Sequence, residues 1–376
     1  MKLSTRALSL EGSKTARFLP LLRQMRSEGK KIINLAVGEP EYPTSNEVIF
    51  ATQKALSNQK TRYGDIPGLF ELRKTIARRF DRMTVENVII SNGAKQCLYN
   101  IFQVICDPLD EVILPVPCWV SFAEQIRLAG AVPIFVPMQG SCLDLDAIAS
   151  AITPKTKAIL INSPHNPTGA VYSMEELGRI AKLADRHDLF VIADEAYQSF
   201  IYDGITFPSL FDQKKIRSRL IIIRSFSKQY NMTGFRIGYA VANAKITAAM
   251  IRLQSHLCGN VCTFVQHGAL AAINMDRTEQ DRQLADIAHK RNLTYEVISR
   301  HFKCDKPKGA FYLFPYLGAH LVKGQSDQDF AADLLERTGV AVVPGEAFFH
   351  PGYIRICYAV PEDQLILALK KIEEVL

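Results

Sequence analysis

The 376-residue sequence lacks the patterns that mark a metal site, a disulfide framework or a membrane protein. Its eight cysteines are scattered without a C-x-x-C pair, and Cys258 and Cys262 have the spacing of one helix face. No apolar run is long enough to cross a membrane, and residues 1–4 do not begin a secretory signal pattern. We therefore expect no bound metal ion, no membrane association and a reducing, cytoplasmic location.

The charged and repetitive patterns of other protein classes are also missing. Lysine and arginine outnumber acidic residues by 45 to 38, but no basic run is interleaved with aromatic residues, so nucleic-acid binding is not expected. No G-x-G-x-x-G motif follows the first strand, which disfavours a dinucleotide-dependent oxidoreductase. There is no internal repeat or low-complexity linker. With 48% hydrophobic residues over this length, two domains with separate cores are expected.

Three apolar runs predict buried strands that end about thirty residues apart, as consecutive βαβ units require. The runs span residues 157–162, 189–193 and 220–223. Polar residues follow each run, namely Asn166 after the first, Asp194 and Tyr197 after the second, and Lys228 after the third. Because the carboxyl ends of parallel strands share one edge of a sheet, we expect these four side chains to meet around one ligand.

The chemistry of these four residues predicts a pyridoxal 5′-phosphate site. A partly desolvated Lys228 amine can attack a carbonyl and form a Schiff base. Asp194 is suited to pair with a pyridinium nitrogen, and Asn166 and Tyr197 can donate hydrogen bonds to the phenolic oxygen of the ring. This cofactor stores the electron pair left when a bond at the substrate Cα breaks. We assign catalytic roles to Lys228, Asp194 and Tyr197.

A strand, turn and helix pattern predicts the receptor for the cofactor phosphate. A strand-like run at 88–90 precedes a helical stretch at 96–102, so free backbone N–H groups would face an anion at the helix start. The predicted receptor consists of Gly93, Ala94, Lys95, Ser225 and Arg236. The Arg236 guanidinium offers a forked contact to phosphate oxygens. Trp119, the only tryptophan, is expected to stack on the cofactor ring, with simple core packing as the alternative.

In order and spacing these motifs resemble the class I and II aminotransferases of fold type I, in the branch of aspartate and aromatic aminotransferases. The resemblance covers almost the whole chain. It is carried by residues 38–40, 63–64, 68, 72–73, 92–96, 119, 162–169, 194–197, 225–228, 234–238, 307–312, 344–345 and 355. Phe235, His165 and Cys118 depart from the common tryptophan, serine and aromatic residue at these positions. None of the departures removes a group expected to contact the cofactor.

The resemblance implies an α/β fold with a mostly parallel central sheet flanked by helices, and a smaller α+β domain. Residues 1–45 would form an N-terminal arm and part of the small domain, residues 46–273 the large cofactor domain and residues 274–376 the small C-terminal domain. Strand-like segments at 309–314, 340–343 and 353–358 fall in the small domain. A long helical stretch over 264–302 is expected to link the two domains.

Several roles are implied by the resemblance alone. Arg355 matches an arginine that binds the substrate α-carboxylate through two hydrogen bonds. Gly38 matches a backbone contact to the substrate in a segment that closes over the site. Tyr63 matches a tyrosine that reaches the cofactor phosphate of a neighbouring subunit, which implies a homodimer with shared active sites. Trp119 and Asn166 are also expected to contact the substrate.

The resemblance implies transfer of an amino group between an L-amino acid and a 2-oxo acid, 2-oxoglutarate by analogy, in a ping-pong mechanism. Lys228 would move the Cα proton as base and acid in turn. The same fold hosts C–S β-lyases, decarboxylases and synthases, and a catalytically silent sensor domain is a further alternative. The donor stays open among aspartate, aromatic amino acids, alanine and methionine. Glu11 stands where prephenate-accepting relatives carry a lysine, which disfavours that activity.

Overall fold

The computed structural model describes residues 3–4, 7–8, 12, 23–25 and 27–375, so Glu11 lies outside the described residues. The strands are β1 (Ile33–Asn34), β2 (Val88–Ser91), β3 (Glu111–Val116), β4 (Val132–Pro137), β5 (Thr156–Asn162), β6 (Phe190–Asp194), β7 (Leu220–Ser225), β8 (Gly238–Ala242), β9 (Tyr312–Leu313), β10 (Val340–Ala341), β11 (Val343–Pro344) and β12 (Ile354–Cys357). The helices with described bounds are α1 (Asn46–Ser57), α2 (Phe70–Ala77), α3 (Ala94–Ile105), α4 (Val120–Leu128), α5 (Leu145–Ser150), α6 (Met174–Arg186), α7 (Phe226–Gln229), α8 (Ala244–Leu257), α9 (Thr263–Asn274), α10 (Thr278–Ile298), α11 (Asp327–Thr338) and α12 (Glu362–Glu373). None of them combines the length and hydrophobicity of a membrane span.

Seven strands form the central sheet, in the order β2-β8-β7-β6-β5-β3-β4. The pairs from β7 through β4 are parallel, and β8 pairs antiparallel with both of its neighbours. The parallel strands are almost continuously apolar where both faces of the sheet are covered. The mostly parallel sheet with flanking helices confirms the predicted fold class.

Alternate residues along the strands enter different hydrophobic clusters, one on each face of the sheet. In β6, Val191 belongs to the cluster that contains Ile180 of α6. The next residue, Ile192, belongs to the cluster that contains Ile101 of α3. Helices therefore clamp the sheet from both sides, and this packing fixes the carboxyl edge on which the polar residues lie.

Two smaller sheets lie apart from the central one. β11, β12 and β9 form an antiparallel sheet, and β1 pairs in parallel with β10. A separate cluster joins Ile33 and Leu35 to buried residues of α10, α11 and α12. β1 lies within residues 1–45 and pairs with β10 in the region 274–376. The division into an arm, a large domain and a small domain, with boundaries at 45/46 and 273/274, stays a prediction.

The prediction of one helical stretch over 264–302 is wrong. Helix α9 ends at Asn274 and helix α10 begins at Thr278. Between them, the Asp276 side chain accepts a hydrogen bond from the Thr278 backbone N–H at 2.9 Å. An aspartate that bonds to nearby backbone competes with the helical hydrogen bonds, so a local interaction overrides the helical periodicity.

Two shorter sequence patterns also differ from their predictions. Cys258 and Cys262 flank the loop between α8 and α9 and do not share a helix face. The apolar run 340–343 is divided between β10 and β11, which pair in different sheets. Because the whole run is buried, its hydrophobicity does not reveal this division.

Lys290 of α10 is a buried cation that ties the segment before α1 to this helix. Its side chain is 4% exposed, and its ammonium contacts the carboxylates of Glu41 and Asp286. Tyr42 donates a hydrogen bond to the same Asp286 carboxylate.

Removing Lys290 would leave two carboxylates close together without a counter-charge. We expect Lys290→Met to lower the free energy of unfolding, measured by urea denaturation, by about 2 kcal/mol, less than for a fully buried pair because Asp286 is partly exposed.

Lys370 provides the matched control for this substitution. It lies on α12 and forms an exposed ion pair with Glu374, which caps the end of that helix. Lys370→Met is expected to change stability by less than about 0.5 kcal/mol. Equal effects of the two substitutions would show that burial of the Lys290 cluster does not matter.

Candidate active site

A cavity of about 360 Å³ opens at the carboxyl edge of β5, β6 and β7. The predicted site residues that line it are Gly38, Ala94, Lys95, Trp119, Asn166, Asp194, Tyr197, Ser225, Lys228, Arg236 and Arg355. Gly93 and Tyr63 are the predicted site residues that are not among its lining. The structure therefore brings together groups that are up to several hundred residues apart in sequence.

The register of the sheet explains why these groups meet. Asn162 at the end of β5 lies opposite Asp194 at the end of β6, and Asp194 lies opposite Ile223 in β7. The Asn162 side chain donates to the Asp194 carbonyl at 3.0 Å and accepts from the Asn166 backbone N–H at 3.0 Å. Lys228 follows β7 on the short helix α7. The strand ends thus set the positions of all four predicted cofactor ligands.

Asp194 is a buried acid that lines the cavity. The Ala196 backbone N–H donates to its Oδ1 at 3.0 Å. Burial raises the pKa of this carboxyl to about 7; the Ala196 hydrogen bond opposes the rise and the charge of Glu195 adds to it. A cationic partner would favour the ionised form and lower the pKa again. The Asp194 carboxyl therefore fits a pyridinium nitrogen.

Lys228 supplies an amine that is shifted toward its neutral form. Its ammonium donates a hydrogen bond to the Gly38 carbonyl. Burial lowers the pKa of Lys228 to about 8, although the nearby Glu39 charge opposes this shift. A larger fraction of neutral amine near physiological pH makes Lys228 a better nucleophile toward an aldehyde than an ordinary lysine.

The start of α3 and Arg236 form a cradle for an anion. Gly93 precedes the helix with φ 78°, a conformation that favours glycine. A Cβ at Gly93 would lie 2.8 Å from Arg236 Nη2, so a side chain there would fill the cradle. Arg236 Nη1 donates to the Thr233 carbonyl at 2.9 Å, and Ser225 also lines the cavity. The unpaired N–H groups of a helix start beside a guanidinium fit a phosphate.

Arg355 of β12 has a buried guanidinium in which one nitrogen lacks a hydrogen-bond partner among the described residues. Its Nη1 donates to Asn166 Oδ1 at 3.0 Å, and its Nη2 donates to the Ala36 carbonyl at 2.6 Å. Its Nε is buried and has no hydrogen-bond partner among the described residues. The guanidinium carbon lies 4.4 Å from the Tyr312 ring centroid and 5.1 Å from that of Phe348. A buried donor without an acceptor indicates a ligand group, and a carboxylate fits it.

Lys95 and Trp119 lie together on one wall of the cavity. The Lys95 ammonium is 4.7 Å from the Trp119 ring centroid, and the Trp119 ring packs edge-on against Phe122 at 5.4 Å. Burial lowers the pKa of Lys95, and the charge of Arg236 lowers it further. Trp119 therefore both faces the cavity and packs against the core, so the two alternatives for this residue are not exclusive.

Tyr312 is a cavity residue to which the sequence assigned no role. It lies within the matched segment 307–312, and its hydroxyl is 2.8 Å from the Tyr197 hydroxyl. A tyrosine in an otherwise apolar, buried segment was the available signal, because its hydroxyl needs a partner. The identity of that partner depends on tertiary structure.

The match to known proteins extends over the whole site. The family model described as "Aminotransferase class I and II" matches residues 30–372. The "Probable aspartate/prephenate aminotransferase" of Aquifex aeolicus is 37% identical and covers 100% of this chain and 98% of its own length. The aspartate aminotransferase of Bacillus subtilis is 36% identical, covering 99% of this chain and 98% of its own length.

A solved structure shows the same fold at similar identity. The aspartate aminotransferase of Thermus thermophilus with maleate superimposes with a TM-score of 0.92 at 35% identity, covering 100% of both chains. The family match and the shared fold agree with the enzyme class and the cofactor predicted from the sequence, and the residues of the cavity fit that cofactor. The chain belongs to the class I and II aminotransferases and is a pyridoxal 5′-phosphate-dependent aminotransferase.

Proposed function

We propose that this aminotransferase uses acidic substrates, with aspartate as amino donor and 2-oxoglutarate as acceptor, in a ping-pong mechanism within a homodimer. The charge of the cavity carries the proposal. Lys95, Lys228, Arg236 and Arg355 line it, and Asp194 is the one carboxylate among its described lining residues. The relatives from Aquifex, Bacillus and Thermus are named for aspartate, and the Thermus enzyme was solved with maleate, a dicarboxylate.

Three of the four cations have proposed partners other than the substrate side chain. Lys228 attaches the cofactor, Arg236 binds its phosphate and Arg355 binds the α-carboxylate. Lys95 remains, with its ammonium over the Trp119 ring. A carboxylate at Lys95 would offset the burial and the Arg236 charge that lower its pKa. We therefore propose that the Lys95 side chain binds the second carboxylate of the substrate, while its backbone stays part of the predicted phosphate receptor.

The bound cofactor supplies an electron sink for the pair released when the Cα–H bond breaks. Asp194 would keep the ring nitrogen protonated, and Asn166 and Tyr197 would donate to the phenolic oxygen. Arg355 would hold the substrate by its α-carboxylate and so fix the direction of its Cα–H bond. Once the substrate amine has displaced Lys228 from the cofactor, Lys228 Nζ would take the Cα proton as a base and give it as an acid to the former aldehyde carbon of the cofactor.

The ping-pong order is supported by the single α-carboxylate clamp. Arg355 is the arginine beside Asn166 and the Gly38 segment, and donor and acceptor both carry an α-carboxylate. Because one guanidinium serves both, the first 2-oxo acid must leave before the second substrate binds. A homodimer is supported by Tyr63, which is 100% exposed and does not line its own cavity. Phe50, Leu56 and Phe70 are further exposed apolar side chains near it in sequence, as an interface would require.

Lys95→Met tests the proposed substrate class. Because only an acidic substrate has a second carboxylate, we expect the variant to lose about 30-fold or more in apparent affinity for aspartate, the worth of a charge-assisted hydrogen bond. The affinity for alanine should change by less than about threefold. The measurement is the half-reaction with one amino acid alone, followed by the absorbance of the bound cofactor. An aminotransferase gives one stoichiometric conversion, whereas a lyase would release ammonia continuously.

Lys74→Met is the matched control for this test. Lys74 also lies over an aromatic ring, with its ammonium 5.8 Å from the Phe70 ring centroid, but outside the cavity. Its substitution should leave the apparent affinities for aspartate and alanine unchanged. Equal losses for aspartate and alanine in Lys95→Met, or a wild-type preference for alanine, would contradict the acidic substrate class.

A further inference from the structure

Tyr312 lies where three residues with proposed functions meet. It is 1% exposed, and its hydroxyl is 2.8 Å from the Tyr197 hydroxyl. Its ring centroid lies 4.4 Å from the guanidinium carbon of Arg355. A Cβ built at Gly38 would collide with the Tyr312 hydroxyl, so the segment over Lys228 packs directly on this side chain. Tyr312 thus contacts Tyr197, Arg355 and the segment around Gly38.

The direction of the hydrogen bond between the two tyrosines follows from their surroundings. Tyr197 needs its proton for the phenolic oxygen of the cofactor. Its own oxygen is then free to accept, and Tyr312 is placed to donate to it. Burial raises the pKa of Tyr197 to about 12, and the hydrogen bond from Tyr312 opposes this rise. A tyrosine that accepts a hydrogen bond becomes a stronger donor itself.

The Tyr312 ring acts on Arg355 in a different way. The guanidinium carbon lies over this ring and over that of Phe348, at 4.4 Å and 5.1 Å from the two centroids. Contacts with aromatic faces stabilise the cation and limit its rotation. The hydroxyl of Tyr312 therefore contacts Tyr197, the proposed donor to the cofactor, and its ring contacts Arg355, the proposed ligand of the substrate carboxylate.

We propose that Tyr312 is a positioning residue that couples the two sides of the site, strengthening Tyr197 as a donor through its hydroxyl and fixing Arg355 through its ring. The proposal rests on the functions proposed above for Tyr197 and Arg355. It predicts that substitutions can separate the effect of the hydroxyl from the effect of the ring.

Tyr312→Phe removes the hydroxyl and keeps the ring. A donor to the phenolic oxygen favours loss of the proton from the linkage between the cofactor and Lys228, so a weaker donor raises the pH at which this proton is lost. In the holoenzyme we expect the midpoint of the absorbance titration to rise by about 0.5–1 pH unit. The dissociation constant of the amino acid should change by less than about threefold, because the ring still supports Arg355.

Tyr312→Leu removes the ring as well. We expect the same upward shift of the titration midpoint, and in addition an increase of about tenfold in the dissociation constant of the amino acid. A leucine variant that binds substrate as tightly as the phenylalanine variant would overturn the contribution of the ring.

Two further variants identify the route of the effect. If Tyr312 acts through Tyr197, adding Tyr312→Phe to Tyr197→Phe should give no further shift of the midpoint. Tyr172→Phe is the matched control, since Tyr172 is equally buried and its hydroxyl contacts Met138 Sδ at 3.4 Å, outside the cavity. This control should titrate as the wild type does. An unchanged midpoint in Tyr312→Phe, or an equal shift in both backgrounds, would overturn the proposal.

Gly38→Ala offers a measurement that does not depend on Tyr312→Phe alone. Its methyl group would meet the Tyr312 hydroxyl, and after Tyr312→Phe the nearest ring atom is Cζ at 3.2 Å. We expect Gly38→Ala to weaken substrate binding and the double variant to recover part of the loss; no recovery would overturn the proposed contact. Equal losses for aspartate and alanine in Lys95→Met would instead refute the proposed substrate class and leave the Tyr312 titration unaffected, so the two failures are distinguishable.

Discussion

Lys228→Ala is expected to abolish transamination, with a loss of kcat on the order of 10⁵-fold or more, as for other residues that form the covalent link and transfer the proton. Lys228 follows β7 at the carboxyl edge of the sheet, in the same cavity as Asp194 and Arg355. Among the described lining residues the second lysine is Lys95, and its ammonium lies over the Trp119 ring. The measurement is 2-oxo acid production from aspartate and 2-oxoglutarate.

The loss of activity in Lys228→Ala should come from loss of the chemical step and not from loss of the fold. The α3 cradle and Arg236 remain, so the variant should still bind the cofactor without a covalent link. Lys245→Ala, at an exposed lysine of α8, should keep wild-type rates. A Lys228→Ala variant with ordinary transaminase rates would refute the assignment of this residue.

Arg355→Ala is expected to weaken binding of both donor and acceptor by about 100-fold or more, the usual effect of truncating one partner of a buried charge pair. The buried guanidinium is held by Asn166 and by the Ala36 carbonyl, and its Nε has no partner among the described residues. Because the role proposed for this arginine is to orient the substrate and not to exchange a proton, its loss should act mainly on the dissociation constant. The half-reactions with aspartate and with 2-oxoglutarate measure it.

Arg355→Lys separates charge from geometry in this prediction. A lysine keeps the positive charge but loses the forked donor pair, so an intermediate loss is expected. Arg337→Ala, at an exposed arginine of α11, should bind both substrates normally. Unchanged substrate binding in Arg355→Ala would contradict its role as the carboxylate clamp.

The strand-end residues could be predicted because their positions depend on local sequence. The apolar runs before Asn166, Asp194 and Lys228 closely match β5, β6 and β7. Their spacing indicates parallel strands, and parallel strands place their carboxyl ends along one edge. The helix at the phosphate cradle likewise follows from a strand, a glycine turn and an apolar helical pattern.

Other features could not be derived from local patterns. Arg355 and its partner Asn166 are 189 residues apart, and Tyr312 and Tyr197 are 115 residues apart. A short strand such as β12 does not reveal which of its residues face a cavity lined by residues of another sheet, so Arg355 was assigned by resemblance alone. At Asp276 a local hydrogen bond from side chain to backbone competes with the helical periodicity around it, and the predicted single helix becomes two helices.

Borohydride reduction of the holoenzyme, followed by peptide mapping, tests most directly whether Lys228 holds the cofactor. We predict a single labelled peptide that contains Lys228, and no label on the corresponding peptide of Lys228→Ala. Label on a different lysine of the wild-type protein, such as Lys95, or no reducible adduct after reconstitution with pyridoxal 5′-phosphate, would contradict the account.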